Sequence, residues 1–261
     1  MTLPVDDRPD LTRRFGGLER LFGVEGAARI QSAHVVVVGV GGVGSWAVEA
    51  LARSGVGQLT LIDLDHVAES NVNRQVHATT VSIGQAKVQA MRERIALIHP
   101  ACVVRGVEEF VTPANWSAMC PRDADAVIDA CDQVSAKTAM AAWARAAGSC
   151  FVTVGAAGGK REAQRVEVDD LSRVTHDPLL AQLRYRLRRE HAAPRGAGAF
   201  GVGCVFSREP VQPPDPSCAV SGDGTLNCHG FGSLVSVTAT FGLVAAGQVL
   251  QALAKKSSTK D

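Results

Sequence analysis

Short apolar runs alternate with longer amphipathic stretches over the first 155 residues of the chain. The apolar runs predict strands, and the amphipathic stretches predict helices. Alternation of this kind predicts a mostly parallel sheet with right-handed crossovers and helices on both faces. The predicted strands lie at 34–38, 59–62, 103–107, 126–128 and 151–154, and the predicted helices at 44–54, 85–98, 113–120 and 136–147.

The pattern changes after Gly155. Glycine-rich segments lie at 155–159 and 196–203, and loop-forming residues are concentrated at 210–216 and 221–225. No repeat and no interdomain linker interrupts the chain. We therefore expect a single α/β, Rossmann-like domain over residues 1–261. Its nucleotide-binding half would cover about 25–155, and an extension of the sheet at about 156–254 would serve the substrate and a dimer contact.

The segment 230–254 contains no charged residue and is long enough to span a membrane. Gly, Ser, Thr and Gln interrupt the segment and make it less favourable in lipid than a leucine-rich span. We therefore expect a buried helix, or a helix–strand pair, of a large core. A membrane contact is the less favoured alternative.

Composition excludes several classes of protein. The net charge is +1 over 261 residues, so contact with nucleic acid would need a local basic patch. The seven cysteines form no C-x-x-C pair, which argues against a disulfide framework and against a zinc site. The segment Met1–Asp10 lacks the pattern of a secretory signal. These features favour a reducing cytoplasm.

A glycine-rich turn follows the first predicted strand. Its glycines are Gly39, Gly41, Gly42 and Gly44, and the acidic Asp63 ends the next strand. Such a turn presents backbone N–H groups to phosphate at a helix N-terminus, and the carboxylate is placed to bind ribose hydroxyls. Close helix–strand packing would explain the glycines alone. An NAD-dependent oxidoreductase would explain the glycines together with Asp63.

A polar run after Asp63 favours a triphosphate over a dinucleotide. Its members are Asp65, Asn71, Asn73, Arg74 and Gln75, and Lys87 follows in a Gly-Gln-x-Lys sequence. The β- and γ-phosphates of ATP need cations of this kind, whereas NAD has no such groups. The alternative for Arg74 and Lys87 is an ordinary solvated charge.

The carboxyl ends of three predicted strands carry the polar motifs. Gly39, Asp63 and the segment 129–132 all follow strands, and ligands of parallel sheets bind beyond these strand ends. We therefore expect one site at this edge. Asp132 is the candidate residue of this site for contact with a triphosphate or a metal ion. The alternative is a structural role, in which Asp132 caps the following helix. Asp129 and Asp65 are weaker candidates.

The set as a whole resembles the ubiquitin-activating-enzyme-like superfamily of ATP-dependent adenylating enzymes, which includes ThiF, MoeB and HesA. The four loop glycines, Asp63, Asn73, Arg74 and Lys87 match its nucleotide-binding residues, and Asp132 matches the aspartate that holds Mg²⁺. Four further segments resemble one branch, the bacterial tRNA threonylcarbamoyladenosine dehydratases, and they lie at 14–23, 155–159, 202–207 and 230–242.

This resemblance implies a ligase that uses ATP and Mg²⁺ to dehydrate, and so cyclise, N6-threonylcarbamoyladenosine at position 37 of tRNA through an acyl-adenylate. It also implies a homodimer in which Arg14 or Arg20 reaches the partner's nucleotide site. Surface charge is the alternative for both arginines. A monovalent cation cannot be read from the sequence. Some relatives use a catalytic cysteine, but Cys204 and Cys228 are expected to be structural or dispensable.

One basic cluster is a candidate RNA contact, and a solvated helix face is its alternative. It consists of Arg184, Arg186, Arg188, Arg189 and Arg195. A rival function keeps the chemistry but adenylates the carboxyl terminus of a ubiquitin-like sulfur carrier, which would make a sulfur-transfer protein the partner. The missing C-x-x-C pairs count against that rival.

Overall fold

Seven strands form one sheet in the residues that the computed structural model describes, which are 9–196, 198–217 and 231–255. The strands are β1 His34–Val38, β2 Gln58–Ile62, β3 Val103–Val107, β4 Ala126–Asp129, β5 Cys150–Val154, β6 Val166–Asp170 and β7 Gly203–Ser207. The helices are α1 Leu11–Ser32, α2 Gly44–Arg53, α3 Lys87–Ile98, α4 Trp116–Met119, α5 Val134–Ala147, α6 Pro178–Glu190 and α7 Val235–Ala254.

The strand order is β3-β2-β1-β4-β5-β7-β6, and every neighbouring pair is parallel except β6 with β7. The predicted fold class is therefore confirmed, including the extension of the sheet, which β6 and β7 provide. Successive strands run outward from β1 in one direction and then outward from β4 in the other. The boundary between β1 and β4 is thus the switch point at which a ligand is expected.

The strand β1 divides the core into two halves. Val35 and Val37 pack on the side of α2, α3 and α7, whereas Val36 and Val38 pack on the side of α5 and α6. This follows from the alternation of side chains along a strand. All five residues of β1 are buried, as a strand covered on both faces requires.

Two predicted helices begin later than the sequence pattern indicated. The helix predicted from 85 begins at Lys87, because a bridge between His66 and Ala86 holds the preceding residues extended. The helix predicted at 113–120 is only Trp116–Met119. Its first residues form a turn in which Asn115 Oδ1 accepts a hydrogen bond from the backbone N–H of Thr112 at 2.7 Å.

The uncharged carboxyl-terminal segment contains a core helix, α7. This helix is long and apolar enough to cross a membrane by length and composition, and 44% of its most apolar 18-residue window is buried in the fold. Val237, Phe241, Ala245 and Val249 recur every four residues and are fully buried. They form the stripe that packs against α2 and the sheet. Cys228 and the segment 221–225 lie outside the described residues.

Candidate nucleotide site

The glycine-rich turn lies at the switch point between β1 and β4. At Gly39 the backbone φ is +83°, and a Cβ there would lie 2.8 Å from the carbonyl oxygen of Ala130. A Cβ on Gly44 would lie 1.7 Å from the carbonyl oxygen of Gly39. Both glycines are therefore required by the turn itself, which brings the loop after β1 against the loop after β4.

The turn leads into α2, whose N-terminus is open. No side chain caps this helix, so its first backbone N–H groups can bind phosphate. A Cβ on Gly42 would lie only 3.3 Å from Cδ of Arg74. The missing side chain of Gly42 therefore lets the Arg74 stem lie against the loop.

Asp63 connects the glycine loop to the residues after β2. Its Oδ2 accepts a hydrogen bond from Val40 N at 2.6 Å, and its Oδ1 accepts one from Asp65 N at 2.9 Å. Burial raises the pKa of the Asp63 carboxyl above its ordinary value, while Lys87 and these two N–H groups act in the opposite direction. The carboxylate predicted to bind ribose is thus fixed in place by backbone donors.

Lys87 and Asp65 form an ion pair at the start of α3. Lys87 Nζ lies 2.6 Å from Asp65 Oδ2, and the Lys87 side chain is 7% exposed, compared with 56% for Asp65. The backbone N–H of Lys87 also donates to the Asp65 carbonyl at 3.0 Å. The orientation of the Lys87 side chain is therefore fixed, and its ammonium is bound by a carboxylate that is exposed to solvent.

The polar run after β2 forms a compact loop around Arg74. Arg74 Nη1 donates to Ser70 O at 2.6 Å and to Asn73 Oδ1 at 2.9 Å, and Asn73 Nδ2 donates to Ser233 O at 3.1 Å. Asn71 is buried and its Oδ1 accepts from Ala68 N at 3.0 Å, so it holds its own loop. The structure brings Asn73 and Arg74 together, and a nucleotide contact by Asn71 stays a prediction.

Gln75 differs from its neighbours because its side-chain oxygen is not used. The residue is 5% exposed, and its Oε1 has no hydrogen-bond partner among the described residues. Its Nε2 lies 4.0 Å from the position that a Cβ on Gly41 would occupy. A buried amide without a partner beside the phosphate loop fits a ligand-binding role.

Two supports of this loop were missed by sequence reasoning. Trp46 Nε1 donates to the carbonyl of Arg74 at 3.0 Å, and Thr238 Oγ1 lies 3.5 Å from the same oxygen. These residues belong to α2 and α7, so the backbone of Arg74 is anchored by two helices that are far apart in the sequence. No local pattern marks Trp46, because its partner is distant in sequence.

A buried ionic network lies beneath the loop after β4. Lys137 Nζ is 3.0 Å from Asp129 Oδ2 and 3.1 Å from Thr153 Oγ1, and both charged side chains are fully buried. The Cys131 thiol donates to Asp129 Oδ1 at 3.1 Å. Burial alone would lower the pKa of Lys137, but the Asp129 carboxylate raises it overall. Asp129 therefore fixes the loop that leads to Asp132, and no local motif marks Lys137 or Thr153 in the sequence.

Asp132 is exposed and makes no hydrogen bond to another described residue. The N-cap of α5 is Gln133, with no side-chain capping bond, so the capping interpretation of Asp132 is wrong. No group of three His, Cys, Asp or Glu side chains that could hold a metal occurs in the described parts of the chain. One free carboxylate beside a phosphate loop still fits Mg²⁺, which commonly combines one or two carboxylates with substrate phosphates.

The two amino-terminal arginines, Arg14 and Arg20, differ in whether they are bonded to the rest of the fold. Arg14 Nη1 donates to Ile98 O at 2.7 Å, at the C-terminal end of α3 and therefore at the opposite edge of the sheet. Arg20 is exposed and has no partner among the described residues. The structure therefore leaves Arg20 as the freer of the two to reach a second subunit.

Most of the predicted RNA cluster is engaged within the fold. Arg184 Nη1 donates to Val174 O and Leu171 O, and Arg188 Nε donates to Pro194 O at 3.2 Å. Arg189 pairs with the carboxylate of Glu190 and lies over the ring of Tyr185. Arg186 and Arg195 have no partner among the residues that the structure describes. RNA contact by this cluster stays a prediction.

Cys204 lies in the middle of the core. It is fully buried in β7, and burial raises the pKa of its thiol well above the ordinary value. A thiolate is the nucleophilic form of cysteine, so this environment opposes a catalytic role. The sequence-based expectation that Cys204 is structural agrees with its position.

Comparison with known proteins identifies the family. The profile of the ThiF family matches residues 16–261. A tRNA threonylcarbamoyladenosine dehydratase from Haemophilus influenzae is 42% identical over 248 residues, which is 94% of this chain and 95% of the relative. A molybdopterin-synthase adenylyltransferase from Escherichia coli is 34% identical over 121 residues, covering 46% of this chain and 48% of that protein.

Solved structures extend the likeness to three dimensions. The crystal structure of Escherichia coli tRNA N6-threonylcarbamoyladenosine dehydratase in complex with ATP has a TM-score of 0.85 and 42% identity, and covers 95% of this chain and 97% of that one. The AMP complex of the same enzyme has a TM-score of 0.84 and 40% identity, with coverage of 97% and 98%. The chain therefore belongs to the ThiF family, in the branch of the tRNA threonylcarbamoyladenosine dehydratases.

Proposed function

We propose that this protein is an ATP-dependent ligase that dehydrates N6-threonylcarbamoyladenosine at position 37 of tRNA. The observation that carries the proposal is a set of polar groups beside the glycine loop: Arg74 lies against Gly42, Gln75 lies beside Gly41, and Lys87 is close enough to Asp63 to act on its carboxylate. The names of relatives that match nearly the whole chain support the same substrate.

The chemistry begins with activation of the threonyl carboxylate. A carboxylate resists attack because of its negative charge and its poor leaving group. Transfer of AMP from ATP to one carboxylate oxygen releases pyrophosphate and makes a mixed anhydride. Arg74 and Lys87 would neutralise the phosphates, and Mg²⁺ held by Asp132 would supply further charge neutralisation.

The second step closes a ring within the substituent. A nucleophilic group of the same side chain attacks the activated carbonyl and expels AMP, so the net change is the loss of one water molecule. An intramolecular nucleophile has a high effective concentration. The step therefore requires no enzyme nucleophile, in agreement with the buried position of Cys204.

We further propose a homodimer. Leu21 and Val24 on α1 are 73% and 72% exposed, and Leu243 on α7 is 48% exposed. These two helices pack against each other, so the exposed apolar residues belong to neighbouring elements. A second copy is the simplest cover for them. In this assembly Arg20 is our candidate for the arginine that acts on the partner's site, and the reaction takes place in the cytoplasm.

A sulfur-carrier protein is the second candidate substrate. The partial match to the molybdopterin-synthase adenylyltransferase supports the shared adenylation chemistry. The match covers less than half of either chain. An NAD-dependent oxidoreductase would not explain why Lys87 and Arg74 lie beside the glycine loop, so we do not favour this alternative.

An oxygen-tracing experiment tests the proposed reaction. A tRNA whose threonyl carboxylate carries ¹⁸O is incubated with the protein, ATP and Mg²⁺, and AMP is then analysed by mass spectrometry. Acyl-adenylate chemistry places one labelled oxygen in AMP. Unlabelled AMP with a dehydrated nucleoside would rule out the adenylate, and unlabelled AMP that forms only when a sulfur-carrier protein is added, with the nucleoside unchanged, would favour the second candidate.

A further inference from the structure

A pocket of about 460 Å³ lies at the edge of the sheet opposite the nucleotide site. We call it the Glu49 pocket, after the carboxylate beneath it. It forms where the C-terminal ends of α2 and α3 meet the start of α1. Its lining residues are Arg14, Phe15, Arg53, Arg94, Leu97 and Ile98.

Glu49 orients two of the three arginines. Its side chain is 6% exposed, and its Oε1 and Oε2 accept bonds from Arg94 Nη2 at 3.0 Å and Arg94 Nε at 2.6 Å. Oε1 also accepts from Arg53 Nε at 2.8 Å. One buried carboxylate therefore holds two guanidinium groups, and the third, on Arg14, is fixed by its bond to the Ile98 carbonyl.

The three guanidinium groups keep donors that the fold does not use. Arg53 is bonded only through Nε, Arg94 only through Nε and Nη2, and Arg14 only through Nη1, as far as the described residues show. Three positive charges face one buried negative charge at this place. Guanidinium groups that are held in place, keep free N–H donors and carry a net positive charge can bind phosphate or carboxylate.

We propose that the Glu49 pocket binds a backbone phosphate of the tRNA, away from the modified base. This inference rests on the proposed function. The protein is almost neutral overall, so RNA binding must use local patches of this kind. Much of the other basic cluster, which includes Arg184 and Arg188, is already bonded to backbone carbonyls.

The position of the pocket fits a large RNA. The helix α2 runs from the glycine loop to Arg53, so the pocket lies about 15 Å from the phosphate loop. A base bound at the carboxyl edge would leave the rest of its RNA to pass along the flank of the domain. Contacts at both edges would then select a folded tRNA over a short oligonucleotide.

The test measures tRNA affinity over a series of salt concentrations. Arg53→Gln removes one outward guanidinium while Arg94 continues to satisfy Glu49. We expect weaker tRNA binding and a log–log salt slope that is smaller by about 0.7 to 0.9, the effect of one lost phosphate contact. A double variant, Arg53→Gln with Arg94→Gln, should lose more affinity but no more than this one-contact change of slope, because the pocket holds a single phosphate, and thermal unfolding verifies that it folds.

Arg92→Gln is the matched control, because Arg92 is exposed on α3 and lies outside the pocket. An equal change of slope in this control, or no change in Arg53→Gln, would overturn the proposal. A change in the oligomer mass of Arg53→Gln with unaltered tRNA binding would also overturn it, since the pocket would then be a contact between copies. If the wild type binds tRNA through this pocket but never dehydrates the nucleoside, the proposed function fails and the anion site stands.

Discussion

At the residue scale, Lys87 shows how the site controls a buried charge. The Lys87 side chain is almost completely buried. Its ammonium pairs with the carboxylate of Asp65, which lies 2.6 Å away and is exposed to solvent. A phosphate entering the site competes with that carboxylate for the lysine. The pair therefore holds the lysine side chain in one orientation in the free protein.

Lys87→Ala should reduce kcat/KM for ATP by at least about 100-fold, the usual effect of losing one preorganised electrostatic donor. Asp65→Asn keeps the shape but removes the charge, so it should have a smaller effect. Steady-state kinetics and ATP calorimetry measure both. Equal ATP affinity in Lys87→Ala and wild type would contradict the assignment of the lysine to the phosphates.

His77 gives a prediction on stability. It is 4% exposed, neither ring nitrogen has a partner among the described residues, and burial together with Lys87 and Arg94 lowers its pKa from 6.5 to about 4. Unfolding therefore takes up a proton, and the free energy of unfolding falls as the pH drops from 6.5 toward 4. The loss should be about 2 kcal/mol between about pH 7 and about pH 5.

Chemical denaturation at the two pH values measures this effect. His77→Leu should remove that part of the pH dependence, whereas His191→Gln, at an exposed position, should retain it. The same pH dependence in His77→Leu and wild type would show that the imidazole is not the group responsible.

The sequence predicted the residues that carry a local motif and missed those that act across the fold. Gly39, Asp63 and Lys87 belong to short motifs that are visible in the sequence, so a nucleotide-binding role could be predicted for them. Lys137 and Thr153 could not, because their contact with Asp129 depends on the pairing of β4 with β5. An isolated lysine in a helix has the same local pattern whether it is solvated or buried.

At the element scale, the limits of β1 to β5 were predicted better than the helix boundaries, whereas β6 and β7 were expected only as an extension of the sheet without bounds. Central strands covered on both faces are continuously apolar, so their limits are visible in the sequence. The starts of α3 and α4 depend instead on a bridge and on the Asn115 turn, which hydrophobic periodicity does not reveal. The uncharged segment 230–254 was ambiguous by composition, and the packing of α7 against α2 places Val235–Ala254 in the core.

The contact of α7 with α2 depends on Gly242. A Cβ there would lie 2.3 Å from Val43 O and 2.9 Å from Ala47 N, so Gly242→Ala should lower the free energy of unfolding by about 3 kcal/mol. On the same helix, Gly247 has no atom within 4 Å of such a Cβ. Gly247→Ala should therefore be neutral or stabilising by up to about 1 kcal/mol. Denaturant unfolding compares the two, and equal effects would contradict the close packing.

At the scale of the whole molecule, the proposed homodimer predicts complementation between subunits. Arg20→Ala removes an arginine that we assign to the partner's site, and Asp132→Ala removes a group of the subunit's own site. A mixed dimer should contain one intact site, so activity should partly return when the two inactive proteins are combined and reassociated. The readout is dehydration of tRNA, after native mass spectrometry has verified mixed dimers. Verified mixed dimers without activity would exclude a role for Arg20 in trans.

The central claim is that this molecule uses ATP to remove water from a modified nucleoside of tRNA. Mass spectrometry of nucleosides from tRNA incubated with the protein, ATP and Mg²⁺ tests it most directly, with Asp132→Ala as the matched inactive control. We predict that N6-threonylcarbamoyladenosine is converted to a species lighter by one water, with one AMP formed for each conversion. Unchanged nucleosides in the presence of folded, ATP-binding protein would contradict the account.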